Sequence, residues 1–364
     1  MDSTTRRIVG NMEAETLNAN QHSAWRATLG LGVVAGLVAV AGLATALGHH
    51  STPTPPPVPA LTPTPVIPPG LMTGLGFSVA DDPAAHQVVL FGGLGSARTT
   101  WLWDGRRWTP SSPPVSPPSR SGAAAAYDPT SRMVMLFGGS LGPGRSVNDT
   151  WAWDGATWRE LNSGLNGPPA GQGAQMAWDV ATDQMVLVTD AERTTGAETW
   201  TWDGNHWGRA TRGDLAVSVS GDVMAYDPVS EVLLLVTPVN PDNGNSLTLG
   251  WNGSRWRVLT DGGPQVEAMT VDPQDGGLLG CGLAIYSASL FVEDNCWEWD
   301  GTSWVQTQAA VPPEAFRQMR VEVEVTDVDN ERLLMFAWLI RAIPGQAQPL
   351  HVWFWNGIEW LQVG

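Results

Sequence analysis

The sequence predicts an all-β fold, a six-bladed β-propeller of four-stranded blades, preceded by one N-terminal transmembrane helix and a proline-rich stalk. Three observations support this. The pattern Trp-x-Trp-(Asp/Asn)-Gly-x-x-Trp recurs six times and contains 17 of the 20 tryptophans, with Leu249 in the first place of the fourth copy. Successive copies begin 48 to 56 residues apart, a period typical of propeller blades. A single long uncharged segment stands near the N-terminus.

The charge of the chain excludes several classes of function. All 19 basic residues among the 364 are arginine, and 36 acidic residues give a formal net charge of −17. The absence of lysine excludes Schiff-base chemistry and the lysine of a phosphate-binding loop. Because phosphates and anionic lipids repel a chain of this charge, we expect no nucleic acid partner.

Residues 27–47 form an uncharged run rich in Val, Leu, Ala and Gly, long enough as a helix to cross a bilayer. Arg6, Arg7 and Arg26 precede it, and no basic residue follows until Arg98, so the positive-inside bias predicts a cytoplasmic stub at 1–26. The alternative is a cleaved signal peptide, because Ala44-Thr45-Ala46 resembles a cleavage site. Either interpretation exports the rest of the chain, and the first predicts a single-pass protein of the cell membrane.

Residues 48–70 are predicted to form a linker between the membrane and the propeller. Nine prolines fall between Ser51 and Gly70, among Ser, Thr and aliphatic residues. This composition favours extended polyproline II structure, which makes the segment a semi-rigid stalk. The propeller is expected to occupy residues 71–364.

Each repeat contains four predicted strands, a to d, most clearly at Ala123–Tyr127, Met133–Phe137, Thr150–Trp153 and Thr157–Leu161. An Asp-Pro turn joins a to b, and Asp-Gly or Asn-Gly joins c to d. A two-residue c–d turn would pair Trp103 with Arg106 and Trp101 with Trp108. All three tryptophans of a copy would then project from one sheet face, where we expect them to pack one blade on the next.

The double glycines after strand b, in Phe91-Gly92-Gly93 and Phe137-Gly138-Gly139, are followed by Trp101-x6-Trp108 and Trp151-x6-Trp158. This arrangement resembles the kelch repeat, whose fold is a β-propeller of four-stranded blades. The resemblance covers residues 71–364 and weakens after the second repeat. It implies the fold and no particular ligand. Because strand a begins and strand d ends the repeat, closure of the ring would rest on side-chain packing between the first and last blades.

Antiparallel strands place the a–b and c–d turns on one face and the b–c and d–a loops on the other. The second set is long and variable, so we predict the binding face there. The residues that begin the inner strands, Arg120, Gln172, Gln265 and Arg317, are expected to ring the central opening and contact an anionic or hydroxyl-rich ligand. The alternative for Arg120 and Arg317 is that they bridge adjacent blades.

The sequence supplies no recognisable catalytic set. Some propellers of this architecture are copper-radical oxidases, which need two His and two Tyr at the metal, but His86, His206 and His351 are scattered over three repeats. We therefore expect no cofactor. Three hypotheses follow: a surface-anchored module that binds an extracellular protein or glycan, an extracellular carbohydrate-active enzyme, or a structural spacer. A convergent set of carboxylates in the central opening would favour the enzyme.

The only two cysteines, Cys281 and Cys296, flank the b–c loop of the fifth repeat. Export and adjacent strands predict a disulfide that closes a loop of about 15 residues. The alternative is a pair of buried free thiols.

Overall fold

The computed structural model contains six four-stranded antiparallel sheets. It describes residues 76–363, except 94–97, 172, 191–195, 216–220, 239–245, 273–275, 287–290, 308–318, 328–331, 340–350 and 356–359. Each sheet is built from four consecutive strands, so every blade is a single segment of the chain. The predicted six-bladed, all-β propeller is confirmed.

The strands are numbered β1 to β24 in chain order, four to a blade, with strand a innermost and strand d outermost. Blades 1 to 3 comprise Phe77–Asp82, Gln87–Gly92, Thr100–Trp103, Trp108–Ser111; Ala124–Asp128, Met133–Phe137, Thr150–Trp153, Trp158–Asn162; Gln175–Asp179, Gln184–Asp190, Ala197–Trp202 and Trp207–Leu215. Blades 4 to 6 comprise Val223–Asp227, Val232–Val236, Ser246–Trp251, Trp256–Gly263; Ala268–Val271, Leu278–Tyr286, Phe291–Trp299, Trp304–Thr307; Met319–Asp327, Arg332–Leu339, His351–Trp355 and Trp360–Val363.

In blades 1 to 4 the a–b turn is closed by a buried aspartate at the end of strand a. In blade 2, Asp128 accepts hydrogen bonds from the backbone amides of Thr130 and Ser131 and from the Ser131 hydroxyl. The residue before strand b adopts a left-handed backbone in blades 1 to 4, with φ of 56° to 57° at His86, Arg132, Asp183 and Glu231. The repeated turn signal therefore has one local geometry.

The c–d turns have four residues, so the predicted two-residue turn is wrong. Trp103 pairs with Trp108, and Trp101 pairs with Pro110. A carboxylate oxygen of Asp104 accepts the amides of Arg106 and Arg107, both at 2.9 Å, and Gly105 supplies a φ of 83°. The longer turn keeps all three tryptophans on one face, because opposed residues share a face.

Six clusters of apolar side chains lie between successive blades and form the core. The second and third tryptophans of each copy pack with ring centroids 5.3 to 5.4 Å apart in blades 1 to 5, which confirms their predicted core role. The inner strands of neighbouring blades are in contact all round the ring, including β21 with β1. Blades 6 and 1 close through side chains, as expected, with Phe77 against Phe336 at 5.4 Å.

Blade 5 differs from the others on the loop face. Its strands β18 and β19 pair as far as Tyr286 and Phe291, where the sequence predicts a loop over 284–295. A disulfide joins Cys281 to Cys296, which oppose each other in this hairpin. The cross-link therefore ties together two strands that are already paired.

The segments predicted to form the cytoplasmic stub, the membrane helix and the linker all lie outside the described residues. Within the described ranges, no helix has the length and apolar character needed to traverse a bilayer.

Candidate functional site

A cavity of about 390 Å³ lies on the propeller axis, where the inner strands begin. The first residues of β1, β5, β9, β13 and β17, or the residues just before them, form its wall. Because the d–a loops lead into these strand ends, the cavity lies on the predicted binding face. Its polar wall residues are Ser78, Gln175, Asp222, Gln265 and Glu267.

One position of the repeat is responsible for the charge of this wall. The position is found by following strand b to the last residue of its apolar run and taking the residue of strand a that pairs with it. Examples of such pairs are Ala124 with Phe137 and Val223 with Val236. The residues immediately before these partners are Phe77, Ala123, Ala174, Asp222, Glu267 and Glu322. The first five line the cavity. The acidic residues therefore belong to blades 4, 5 and 6, and the uncharged ones to blades 1, 2 and 3.

Asp222 has the least usual environment of these residues. It is 2% exposed, and neither carboxylate oxygen has a hydrogen-bond partner in the structure. Burial raises the pKa of Asp222 to about 8, and the negative charge of Asp190, at the end of β10, contributes in the same direction. Asp222 is therefore mostly protonated at neutral pH and is able to donate as well as accept a hydrogen bond.

The guanidinium of Arg120, which the sequence predicts to contact a ligand, is occupied within the protein. It is 2% exposed and forms two hydrogen bonds to the Asp149 carboxylate, at 2.6 and 2.8 Å, and one to the Gly138 carbonyl. Burial raises the pKa of Asp149, but hydrogen bonds from Arg120 and Trp151 outweigh it and hold that pKa below its usual value. The pair joins the entry to β5 with the entry to β7, both in blade 2, so Arg120 is a structural residue.

The other predicted site residues have different outcomes. Gln265 is half-buried and lines the central cavity, at the place expected for it. Gln172 and Arg317 lie outside the described residues. Of the two predicted residues that the structure describes, Gln265 lines the central cavity and Arg120 does not.

A second hollow, of about 350 Å³, lies on the same face near blades 1 and 2. It is lined by Arg120, by Ser119 and Ser121 beside it, and by the loop from Ser140 to Ser146. In that loop the Leu141 amide donates to the Arg145 carbonyl, and the Arg145 amide donates to the Gly142 carbonyl. The hollow offers hydroxyls and backbone groups, since the charge of Arg120 is neutralised by Asp149.

Metal chemistry finds no support in the described ranges. They contain no group of three or more His, Cys, Asp or Glu side chains arranged to hold a metal ion. The cavity wall itself offers carboxyl, amide and hydroxyl groups, which suit the recognition of a polar organic ligand by hydrogen bonds.

Comparison with models of known protein families gives no match, and no curated protein is similar in sequence. Solved structures are similar in fold. YjhT has a TM-score of 0.53 at 11% identity, over 84% of this chain and all of that protein. The SapL1 lectin, solved with alpha methyl fucoside, has a TM-score of 0.52 at 13% identity, over 80% of this chain and 96% of that protein. A triple-arginine mutant of AofleA from Arthrobotrys oligospora has a TM-score of 0.51 at 13% identity, over 80% of this chain and 85% of that protein. The chain has a propeller fold that these proteins share.

Sequence reasoning missed Asp222 and Glu267. Both occur at the start of a predicted inner strand, where Ala123 and Ala174 stand in the second and third repeats. Alignment of the six repeats on strand b, and not on the tryptophans, would have shown this acidic position in three successive blades.

Proposed function

We propose that this chain is a kelch-like, glycan-binding module that is exported and held at the cell surface by its N-terminal helix and proline-rich stalk. The central cavity carries this proposal, because it combines amide, hydroxyl and carboxyl groups with small apolar residues on the loop face. Sugars present hydroxyls and apolar C–H surface together, and a wall of this composition complements both. The cavity volume of about 390 Å³ is within the usual range for a small-molecule site.

The fold comparison supports a sugar ligand over a protein partner. One of the similar propellers, SapL1, is a lectin solved with a bound fucoside. At 13% identity this similarity concerns the scaffold, so the choice of sugar must come from the residues of this chain.

Glycan binding is tested with the full chain, purified in mild detergent, on a panel of neutral, amino and acidic glycans. Gln265→Ala removes an amide from the cavity wall and is expected to weaken binding about tenfold, the effect of losing one well-made hydrogen bond. Asn205→Ala is the matched control, because Asn205 is exposed in a c–d turn on the opposite face. Absence of binding to every glycan, or equal loss in the two variants, would contradict the proposal.

The membrane setting needs its own experiment. Removal of residues 27–47 is expected to move the protein from the membrane fraction to the soluble fraction. A protease added to intact cells should release the propeller by cutting within 48–70. Protection from the protease in intact cells, with cleavage after lysis, would place the propeller inside the cell.

A carbohydrate-active enzyme is the second candidate, and one observation favours it. Asp222 and Glu267 line the same cavity, and the raised pKa of Asp222 keeps it available as a proton donor at neutral pH. The glycans that bind are incubated with the protein and followed for new reducing ends. Turnover that Asp222→Asn abolishes, with binding retained, would establish the enzyme.

A further inference from the structure

We propose that the central cavity and the second hollow are adjacent subsites for one oligosaccharide, with an uncharged sugar unit bound in the hollow. This inference rests on the proposed glycan-binding function and specifies its ligand as a chain of sugars. Three observations carry it. The two spaces are separated by one residue of the chain, the hollow contains a row of serine hydroxyls, and hydrogen bonds hold its walls in place.

A short segment at the entry to β5 separates the two spaces. Ser121 lines the second hollow and Ala123 lines the central cavity, so only Gly122 stands between them. Consecutive Cα atoms are about 3.8 Å apart, which limits the separation of Ser121 and Ala123 to about 7 Å. Gly122 has no side chain to project between the spaces, and its amide and carbonyl are bonded to Gly76 and Gly173. A ligand of two or three sugar units is therefore long enough to occupy both.

Blade 1 provides a second link between the spaces. Phe77 lines the central cavity and pairs with Gly92, and the next residue along the chain, Gly93, lines the hollow. The Gly93 amide donates to the Arg120 carbonyl at 2.9 Å, so the blade 1 edge of the hollow is joined to the blade 2 edge. The two spaces are therefore neighbours in both blades.

Three serines lie side by side in the hollow. Ser121 pairs with Ser140, and Ser140 pairs with Ser146, in two antiparallel bridges, so the three side chains share one face. The Ser140 hydroxyl donates to the Gly142 carbonyl at 2.8 Å. Within the described part of the chain, the Ser121 and Ser146 hydroxyls have no hydrogen-bond partner. They are available to sugar hydroxyls, because each group can both donate and accept.

The wall formed by the d–a loop of blade 1 is fixed by side-chain hydrogen bonds. Arg120 is bound to the Asp149 carboxylate of blade 2. Earlier in the same loop, the Ser116 and Pro117 carbonyls accept hydrogen bonds from the guanidinium of Arg98. A site whose walls are already in place loses less conformational entropy when a ligand binds.

The charge of the hollow favours a neutral sugar unit. Among the described residues that line it, Arg120 alone is charged, and that charge is neutralised by Asp149. The other lining residues are serine, glycine, leucine and proline. A charged sugar would lose hydration in the hollow without gaining an opposite charge. The oligosaccharide therefore places an uncharged unit there.

The test compares ligands that differ in chain length. Methyl glycosides of glucose, galactose, mannose and N-acetylglucosamine, and the linear di- and trisaccharide of each, are titrated against the full chain in mild detergent. We expect the trisaccharide of a bound sugar to bind about tenfold more tightly than its methyl glycoside, because a further unit makes hydrogen bonds in the hollow. Equal affinity of the two would overturn the inference while leaving glycan binding intact. Absence of binding by every ligand would overturn both.

Variants locate the added units. Ser121→Ala combined with Ser146→Ala removes two hydroxyls from the hollow and is expected to remove most of the gain in affinity with length. The matched control, Ser254→Ala combined with Ser303→Ala, removes two exposed hydroxyls from c–d turns on the opposite face and should keep the gain. A full gain in the first double variant would place the added units outside the hollow and refute the inference. Because Ser146 is exposed, Ser146→Ala alone decides the question if Ser121→Ala does not fold.

Discussion

At the scale of single residues, hydrogen bonds between blades recur from one blade to the next. The indole N–H of Trp158 donates to the Thr100 hydroxyl, Trp207 to Thr150, Trp256 to Thr199 and Trp304 to Thr248, each at 2.8 Å. In each case the first residue of strand d bonds to the threonine that stands three residues before the end of strand c in the preceding blade. The tryptophans thus set the alignment of the blades in addition to filling the core.

Thr150→Val is expected to destabilise the propeller by about 1–3 kcal/mol, because it leaves the buried indole N–H of Trp207 without an acceptor at nearly constant volume. Thr150→Ser retains the hydroxyl and should cost less. Chemical denaturation of the full chain in mild detergent measures both. A loss in Thr150→Ser as large as that in Thr150→Val would show that the methyl group, which only Thr150→Ser removes, matters as much as the hydrogen bond.

Asp222 should make stability depend on pH. Its folded pKa of about 8 is above the usual value of 3.8, so its favourable contribution is complete below pH 4 and is lost as pH rises through 8. Asp190, the charged group that acts on it, is also acidic. Asp222→Asn should therefore gain about 4 kcal/mol relative to the wild type between pH 5 and pH 8.5, since each pH unit below the folded pKa contributes about 1.4 kcal/mol. Thermal unfolding of the variant and the wild type at pH 5 and pH 8.5 measures this change. Glu160→Gln, which removes an exposed carboxylate, is the control. A constant difference between variant and wild type would contradict it.

At the scale of elements, the a–b turns contain a strained position. Glu231 has a φ of 56° and is exposed, as expected for a residue that turns the chain and packs against nothing. Glu231→Gly relieves the left-handed strain and is expected to stabilise the protein by about 0.5–1 kcal/mol, after allowance for the greater freedom of glycine when unfolded. Glu231→Val, which is β-branched, should destabilise it. Urea denaturation of both variants provides the measurement, and a loss of stability in Glu231→Gly would refute this account of the turn.

The elements also show how far the sequence could be interpreted. Blade number, strand order and the tryptophan core are local repeats, so periodicity alone predicts them. The c–d turn was predicted wrongly because Asp-Gly suits both a two-residue turn and the observed four-residue turn, in which Asp104 accepts two amides. The pairing of Arg120 could not be predicted from the sequence, because its acceptor, Asp149, is 29 residues away and only the folded blade brings them together.

At the scale of the whole molecule, the junction between blades 6 and 1 has apolar packing at the place where four other junctions have the bond from tryptophan to threonine. Val352 takes the place held by Thr100 or Thr150 in other blades, and it lies in one cluster with Trp108. The indole N–H of Trp108 is buried without a hydrogen-bond partner. Rings such as Phe77, Phe336 and Trp108 hold this junction, with centroids 5.4 to 6.0 Å apart. We therefore expect the ring to open here first.

Val352→Thr is expected to supply the missing acceptor and to stabilise the propeller by about 1 kcal/mol, since a buried unpaired donor becomes paired at nearly constant volume. Hydrogen exchange should slow selectively in β1 and β22, which meet at the junction. Val88→Thr is the matched control, because Val88 is fully buried in the same cluster but belongs to strand b, where no tryptophan of the repeat donates. A valine-to-threonine change that stabilises at 352 and destabilises at 88 would identify the unpaired indole as the weak point of the closed ring. Destabilisation at both positions would mean that packing alone sets the strength of the junction.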